Sequence, residues 1–384
     1  MKKLKTFVLD VIDSAWRVHA ARRETLKFRG SKRKEIYESV TLTSEQKKEI
    51  DTLYKENYGK KIPYTWHKHY TAFTGSFDAK YVPELLYSPE FEHFENSNIE
   101  YAHVLSDKNL LPILAEWGGV KTPQTIISCT FGIYRDKDAR EIRKEEVAEF
   151  LKNQREVFVK PSVDTGSGKG CFVSDFKDGV DIITGTNITN LLQELGDNFV
   201  VQKRIKCHES ITRIYPKSVN TFRIITYRWK DRYCHMPIIM RIGQGGNYLD
   251  NAHAGGMFIA LDDDGTMHKT AFTEFKKEFQ IHPDTKLKFD GYKIDLLPKV
   301  ITAAERMCLI VPQIGCINWD FTIDEEGDPV LIEANTNGGS IWLSEMAHGC
   351  GAFGANTEDV LKWLALMIKI PASKREKYKF GNGI

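Results

Sequence analysis

The sequence predicts an α+β protein in which antiparallel strands and helices are segregated rather than alternated. Three observations carry this. Strand-like runs follow one another from about residue 156, joined by turns at Lys230-Asp231, Asp264-Gly265 and Glu326-Gly327. Helical periodicity gathers before residue 60 and after Thr357, with one further amphipathic run, LLPKVITAAERMCLIVP, between strands. No regular strand–helix–strand alternation is present, which argues against a parallel doubly wound sheet.

At roughly 150 residues per domain, 384 residues predict two or three domains. With 41% hydrophobic and 28% charged residues, the chain is globular without long disorder. A net charge of +2 is too balanced for a general nucleic-acid binder. No apolar run approaches the ~18–20 residues of a membrane span. The start, MKKLKTFVLDVIDSAW, is read as helix rather than signal peptide, because Asp10 and Asp13 interrupt its apolar part. Seven cysteines without a C-x-x-C pair fit a reducing cytoplasm better than a disulfide framework or a structural zinc site.

The first region, 1–69, is expected to be helical. Leu4, Phe7, Val8, Val11, Ile12 and Ala15 form one apolar face. Ser44 is the expected N-cap of a later helix, and Gly59 its stop. Eleven Lys or Arg against five Asp or Glu up to Val40 give this region a net +6. Such an arm would suit an anionic membrane surface or a polyanion, whereas the ordinary reading of a charge run is a solvated face on a helix packed against the main body. A small α/β unit, 70–130, follows, with "SDKNLLPILAEWGGVKTPQTIIS" read as helix, Gly118-Gly119 stop and strand. Two lobes, 131–206 and 207–384, complete the expected division, without internal repeats.

Four clusters bear chemistry. In "CINWDFTIDEEGDPVLIEANT", a turn centred near Glu326-Gly327 sets Asp320 opposite Glu333, with Asn318 and Asn335 on the same faces. Two carboxylates that close repel unless a proton or cation lies between them. Oxygen ligands of this kind suit Mg²⁺ or Mn²⁺, completed by phosphate and water; a solvent-facing acidic hairpin would look the same. In "VFVKPSVDTGSGKGCFV", Lys160 ends a strand, and Gly166, Gly168 and Gly170 let backbone N–H groups approach a phosphate, with charge from Lys160 and Lys169. The loop satisfies neither the Walker A spacing nor a dinucleotide fingerprint, and a plain glycine-bearing hairpin is the competing reading. In "VVQKRIKCHES", the strand end at Gln202, Lys203 and Ile205 can offer backbone groups to a base, and His208 or Glu209 can reach a ribose. Arg223 and Arg241 interrupt apolar strands and need anionic partners, either a substrate or structural carboxylates. "NAHAGG" adds Asn251, His253 and the backbone donors of Gly255 and Gly256.

In this order the clusters resemble the ATP-grasp superfamily, whose two α+β lobes hold ATP between them. "SDKN", "VNTFRIIT", "DNAHAGG" and "INWDFTI" look most like its sugar-transfer-associated members from bacterial surface-polysaccharide loci, over roughly residues 70–360. The resemblance implies ATP and two Mg²⁺ as cofactors. It implies Asp320, Glu333 and Asn335 as metal ligands, and Lys108, Lys160 and the loop Gly166-Ser167-Gly168-Lys169-Gly170 at the phosphates. It further implies Gln202, Lys203 and Ile205 at adenine, and Glu209 at the ribose; Gln202 stands where many members have Glu. The implied reaction joins a carboxylate to an amine through an acyl phosphate, on small substrates that are sugar-linked or amino acids. Arg241 would bind the acyl-phosphate oxyanion, and Arg223 would steady phosphate or carboxylate with Asn251, His253, Gly255 and Gly256. His253 and His348 are candidates for proton handling, and Asn337 begins the loop on the acceptor side. Two alternatives stay open: a phosphotransferase acting on a hydroxyl, and a non-catalytic nucleotide-binding module.

Overall fold

The structure, a computed structural model, describes residues 2–96, 99–163 and 168–384. Two antiparallel sheets dominate it. The first has the strands Thr125–Thr130 (β1), Ile133–Asp136 (β2), Glu141–Ile142 (β3), Val157–Pro161 (β4) and Phe172–Ser174 (β5). A small hairpin follows, Phe176–Lys177 (β6) with Val180–Asp181 (β7), and then Asn198–Lys203 (β8). The sheet order is β3-β2-β1-β8-β4-β5. β1 therefore lies inside this sheet, paired with β8. The expected boundary at residue 130 cuts it from the lobe it belongs to, because only its antiparallel partner, some 70 residues downstream, identifies that lobe.

The second sheet contains Thr221–Trp229 (β9), Arg232–His235 (β10), Ile238–Ile242 (β11), Met257–Leu261 (β12), Ala271–Phe272 (β13) and Glu278–Phe279 (β14). The hairpin Cys316–Ile323 (β15) and Pro329–Asn335 (β16) completes it, in the order β14-β13-β12-β11-β9-β15-β16, with β10 paired to β9. Its centre is apolar on both faces. Phe222, Ile224, Trp319 and Phe321 pack with Val300, Ala304 and Met307 of the helix Leu297–Ile310. Ile225, Tyr227 and Trp229 pack with Phe91 and with Trp363 of the helix Thr357–Lys369. Burial on both faces explains why β9 and β15 read as nearly continuous apolar runs.

Helices Lys2–Lys27, Ser31–Glu38 and Ser44–Asn57 open the chain. Ser44 is the first helical residue rather than the cap. Thr43 caps instead: its hydroxyl accepts from Gln46 N and the Gln46 side chain accepts from Thr43 N, a capping box one residue earlier than expected. Gly59, at φ 87°, takes the left-handed conformation just beyond the helix end. Between Glu84 and Glu95 the helix passes through a π turn, Tyr87–Glu92, which contains Pro89. Proline has no N–H for the ordinary ladder, so the helix widens there.

The first helix reverses an expectation. Its apolar face does not pack on the body: Phe7 is 65% and Ile12 60% exposed. The buried side carries Asp13, Ala20 and Glu24. Asp13 is held there by Arg17 one turn on, and by His93 and Arg375, two partners that helical periodicity does not reveal.

Candidate active site

A cleft of 610 Å³ opens between the sheets, within the usual range for ligand pockets. β4 contributes Lys160, and β9, β11, β15 and β16 contribute Arg223, Arg241, Asp320 and Glu333. Lys108 enters from the helical side, its N–H donating to Ser162 O just beyond β4 (3.0 Å).

The hairpin register places Asp320 opposite Glu333 and Asn318 opposite Asn335. The five-residue turn alone would not produce this. Phe321 pairs with Leu331, so Ile332 is an extra residue between two consecutive pairs. This bulge re-aims the strand. Leu331 points into the core with Phe321, while Glu333 joins Asp320 at the cleft. On the other side Asp320 faces Arg223 across β9. The row Arg223–Asp320–Glu333 thus sets one cation beside two carboxylates across three adjacent strands.

Asp320 accepts from two arginines. Arg223 binds it in bidentate fashion, Nε to Oδ1 at 2.5 Å and Nη2 to Oδ2 at 2.9 Å, and Arg241 Nη2 reaches Oδ2 at 3.0 Å. Burial pushes its carboxyl up, but the two guanidinium charges outweigh burial and hold it below the ordinary carboxylate value. Lys108 Nζ lies 3.1 Å from Glu333 Oε1. Lys160 is buried, and burial, opposed by Glu333 and reinforced by the like charge of Lys108, brings its ammonium down to about 8. Arg241 also donates to Thr221 Oγ1 (2.7 and 3.0 Å) and Asn251 Oδ1 (3.0 Å). Asp250 accepts from both N and Oγ1 of Thr221 (2.9 and 2.5 Å). Arg241 is therefore fixed by Thr221, Asn251 and Asp250; of these, sequence reasoning assigned no role to Thr221 or Asp250.

Among the remaining expected residues, Gly168, Gln202, Lys203, Ile205, Asn251, His253, Asn335 and Asn337 line the cleft. Gly168, at φ 74°, approaches the opposite lobe so closely that a Cβ would meet Asn251 Nδ2 at 2.9 Å. Tyr248 OH donates to Cys171 O (3.3 Å), a second contact between the glycine loop and the facing loop. Gly166 and Ser167 lie outside the described residues. Lys169 and Gly170 do not line the cleft.

Backbone donors at the end of β8 are partly occupied. Lys203 N donates to Gln124 O and Arg204 N to Glu156 O, which leaves Ile205 without a backbone partner for its N–H among the described residues. Glu209 stands exposed at the start of the short helix Glu209–Thr212, outside the cleft, where His208 Nδ1 accepts from Ser210 N as its cap. Neither His208 nor Glu209 lines the cleft. Gly255 and Gly256 also lie off the cleft, because their N–H groups close a local turn onto Ala252 O and Asn251 O. A Cβ on Gly256 would collide with the Asp250 carbonyl, so this glycine serves close backbone approach. His348 lies half-buried away from the cleft, bonded to Ile238 O (2.7 Å), and desolvation brings its imidazole down to about 4. His253 borders the cleft and pairs with Glu274 at 2.6 Å, which in turn holds Arg33 of the N-terminal region.

Sequence reasoning missed two buried carboxylates that hold the loop at Asn337. Glu92 accepts from Gly338 N and Gly339 N, each at 2.8 Å. Glu84 Oε1 accepts from Ser340 Oγ (2.7 Å), Ile341 N and Trp342 N (both 2.8 Å). Burial, against these bonds, pushes both carboxyls up to about 7. The available signal was "PELLYSPEFEHFEN", four glutamates recurring among large apolar residues.

The donor set suits a triphosphate with a hard divalent cation. Asp320, Glu333 and Asn335 offer oxygen only, and the bonds on Asp320 leave part of its acceptor capacity open. Three protein ligands fall short of a complete shell, so phosphate and water would supply the rest.

A family model described as sugar-transfer-associated ATP-grasp matches residues 87–360, well over half of the chain. Solved structures with a similar fold include L-amino acid ligase from Bacillus licheniformis (14% identity, TM-score 0.38, 67% of this chain and 48% of that one). Others are D-alanine–D-alanine ligase from Bacillus anthracis (16%, 0.38, 68% and 68%) and a biotin carboxylase–βγ-ATP complex from Campylobacter jejuni (15%, 0.42, 71% and 52%). The chain spans about half the length of several such proteins. No curated protein matches it.

Proposed function

Because the chain belongs to the sugar-transfer-associated ATP-grasp family, we propose that it is an ADP-forming ligase that joins a carboxylate to an amine. The row Arg223–Asp320–Glu333, faced by Lys108 and Lys160 across the cleft, carries this reading. Lysine and arginine cations stand beside carboxylate oxygens there, the groups that bind a polyphosphate and its cation. Lys108 and Lys160 would neutralise the transferring phosphoryl group, and Gln202, Lys203 and Ile205 would seat the base. Asp320, Glu333 and Asn335 would hold Mg²⁺, which supplies further charge neutralisation at the phosphates.

The γ-phosphoryl group passes to a substrate carboxylate oxygen, so ADP leaves and an acyl phosphate forms. An amine nitrogen then attacks the acyl carbon, the C–N bond forms, phosphate leaves and the nitrogen loses its proton. Arg241, fixed by Thr221 and Asn251, would hold the acyl oxyanion through donors that need not reorganise. The substrates are proposed to be a sugar acid or amino acid used in surface-polysaccharide synthesis on the cytoplasmic side. The test is ADP release across a panel of acids and amines, with mass spectrometry of the products. An amide with stoichiometric ADP and phosphate supports the ligase. A phosphorylated acceptor without free phosphate replaces it with a hydroxyl kinase. Biological activity that survives Asp320→Asn with Glu333→Gln makes the site non-catalytic.

A further inference from the structure

The first helix, Lys2–Lys27, is amphipathic in the inverse sense to a packed surface helix. Its polar side meets the protein. Asp10 Oδ1 accepts from Ala372 N (2.7 Å), Asp13 binds His93 at 2.7 Å and Arg375 at 2.8 Å, and Glu24 is buried beside Lys27. Its apolar side faces outward. Phe7, Val11 and Val18 fall in one line by their spacing of four and seven residues, flanked by Val8, Ile12 and Trp16. All six are exposed, Phe7 by 65% and Val18 by 70%. Solitary exposed apolar residues are ordinary, but a continuous face of this width marks an interaction surface.

Charge identifies what covers it. All three acidic residues of the helix, Asp10, Asp13 and Glu24, are occupied on the inner side. Arg22 and Arg23 stand exposed near its far end, and Lys2, Lys3 and Lys5 lie in its first turn. A second copy placed against this face would bring like charges together. An anionic lipid surface complements the charge and takes up the apolar groups at once. No helix among the described residues is long and apolar enough to cross a membrane, which leaves a flat orientation at the interface. We propose that the outer face of the helix Lys2–Lys27 docks this protein on an anionic phospholipid surface, in the plane of the membrane.

The test is co-sedimentation of the full chain with phosphatidylcholine vesicles, with and without phosphatidylglycerol, at low and high salt. Wild type binds the anionic vesicles, and added salt weakens that binding. Phe7→Glu with Ile12→Glu lowers it by about tenfold or more, since the inserting groups are lost. Arg22→Glu with Arg23→Glu abolishes the preference for anionic over neutral vesicles. These side chains are exposed and lie outside the cleft, so vesicle-free ATP binding stays unchanged in every variant and reports an intact fold. Wild type remaining in the supernatant with anionic vesicles overturns the proposal, as does undiminished binding by Phe7→Glu with Ile12→Glu. A wild-type dimer that this double variant converts to monomer, without vesicle binding, assigns the face to a second copy and also overturns it.

Discussion

Glu84 offers a sharp test of how the acceptor-side loop is held. Its Oε1 takes three donors from Ser340, Ile341 and Trp342, which link the helical region to the loop that borders the cleft. Replacing it by Ala strands two backbone N–H groups and a hydroxyl. A buried unsatisfied donor costs about 1–3 kcal/mol. With partial relaxation, Glu84→Ala should lose about 3–5 kcal/mol in urea unfolding. Glu84→Gln keeps an acceptor oxygen of the same shape and should lose far less. The pH dependence separates charge from hydrogen bonding. Burial raises this carboxyl from 4.5 to about 7. Between those values the folded chain keeps the proton and the unfolded chain releases it, so stability falls as pH rises through the window and is level above it. At 1.36 kcal/mol per unit, the ionised carboxylate costs the folded state about 3 kcal/mol at pH 8. Glu84→Gln carries no such cost. Relative to wild type it should therefore gain about 2–3 kcal/mol in stability between pH 5 and pH 8. Other groups, including Glu92 and His348, titrate in both proteins and cancel in the comparison. A wild-type-minus-variant difference that is the same at pH 5 and pH 8 would refute the charge argument. Equal stability of the Ala and Gln variants would refute the hydrogen-bond argument.

Three further outcomes follow from the same contacts. Lys160→Ala with Glu333→Ala should weaken Mg²⁺-ATP binding by about 100-fold or more in calorimetric titration, from two charged contacts at about 1.5–3 kcal/mol each; wild-type affinity would remove the nucleotide from this cleft. Asp320→Ala leaves Arg223 and Arg241 without their shared carboxylate and should cost about 3–5 kcal/mol in ligand-free urea unfolding, so its loss of activity must be read beside its stability. Gly265→Ala sets a Cβ against the Ile294 carbonyl at φ 89°, and should cost about 2–4 kcal/mol by thermal denaturation without changing ATP affinity in the folded protein.

Local pattern carried some of this architecture and long-range pairing hid the rest. The β15–β16 hairpin is legible because apolar runs flank a Glu-Gly-Asp turn, but counted from the five-residue turn alone Asp320 would face Ile332 rather than Glu333. The bulge at Ile332 cannot be counted, since it depends on how β15 also fits β9. In the first helix the periodicity reveals two faces but not which one is inner. That choice rests on Asp13 meeting His93 and Arg375, 80 and 362 residues away along the chain. The sequence assigns Glu84 and Glu92 no role, because their donors lie about 250 residues downstream.

The ion pairs in the cleft imply that nucleotide and metal bind cooperatively under the proposed function. Without ligands, Lys108, Lys160, Arg223 and Arg241 share the cleft with Asp250, Asp320 and Glu333, and Lys203 and Arg204 also line it. Every carboxylate has a cationic neighbour: Glu333 has Lys108, Asp320 has both arginines, and Asp250 lies 3.8 Å from Arg241. A triphosphate arriving alone would draw Lys108 toward itself and leave Glu333 uncompensated. A cation arriving alone would compete with two guanidinium groups for Asp320. Arriving together, each supplies the partner that the other removes, so no buried charge is stranded at any stage. The coupling should therefore be positive and reciprocal, of the usual size of about 1–3 kcal/mol or 5- to 150-fold in affinity. ATP titrated with a chelator present should bind weaker than Mg²⁺-ATP by that factor. In Lys108→Met, where Glu333 is already unpaired and ready for the cation, Mg²⁺ should bind more tightly without nucleotide and the coupling should shrink. An unchanged factor in that variant would mean that the exchange at Glu333 is not what links the two ligands.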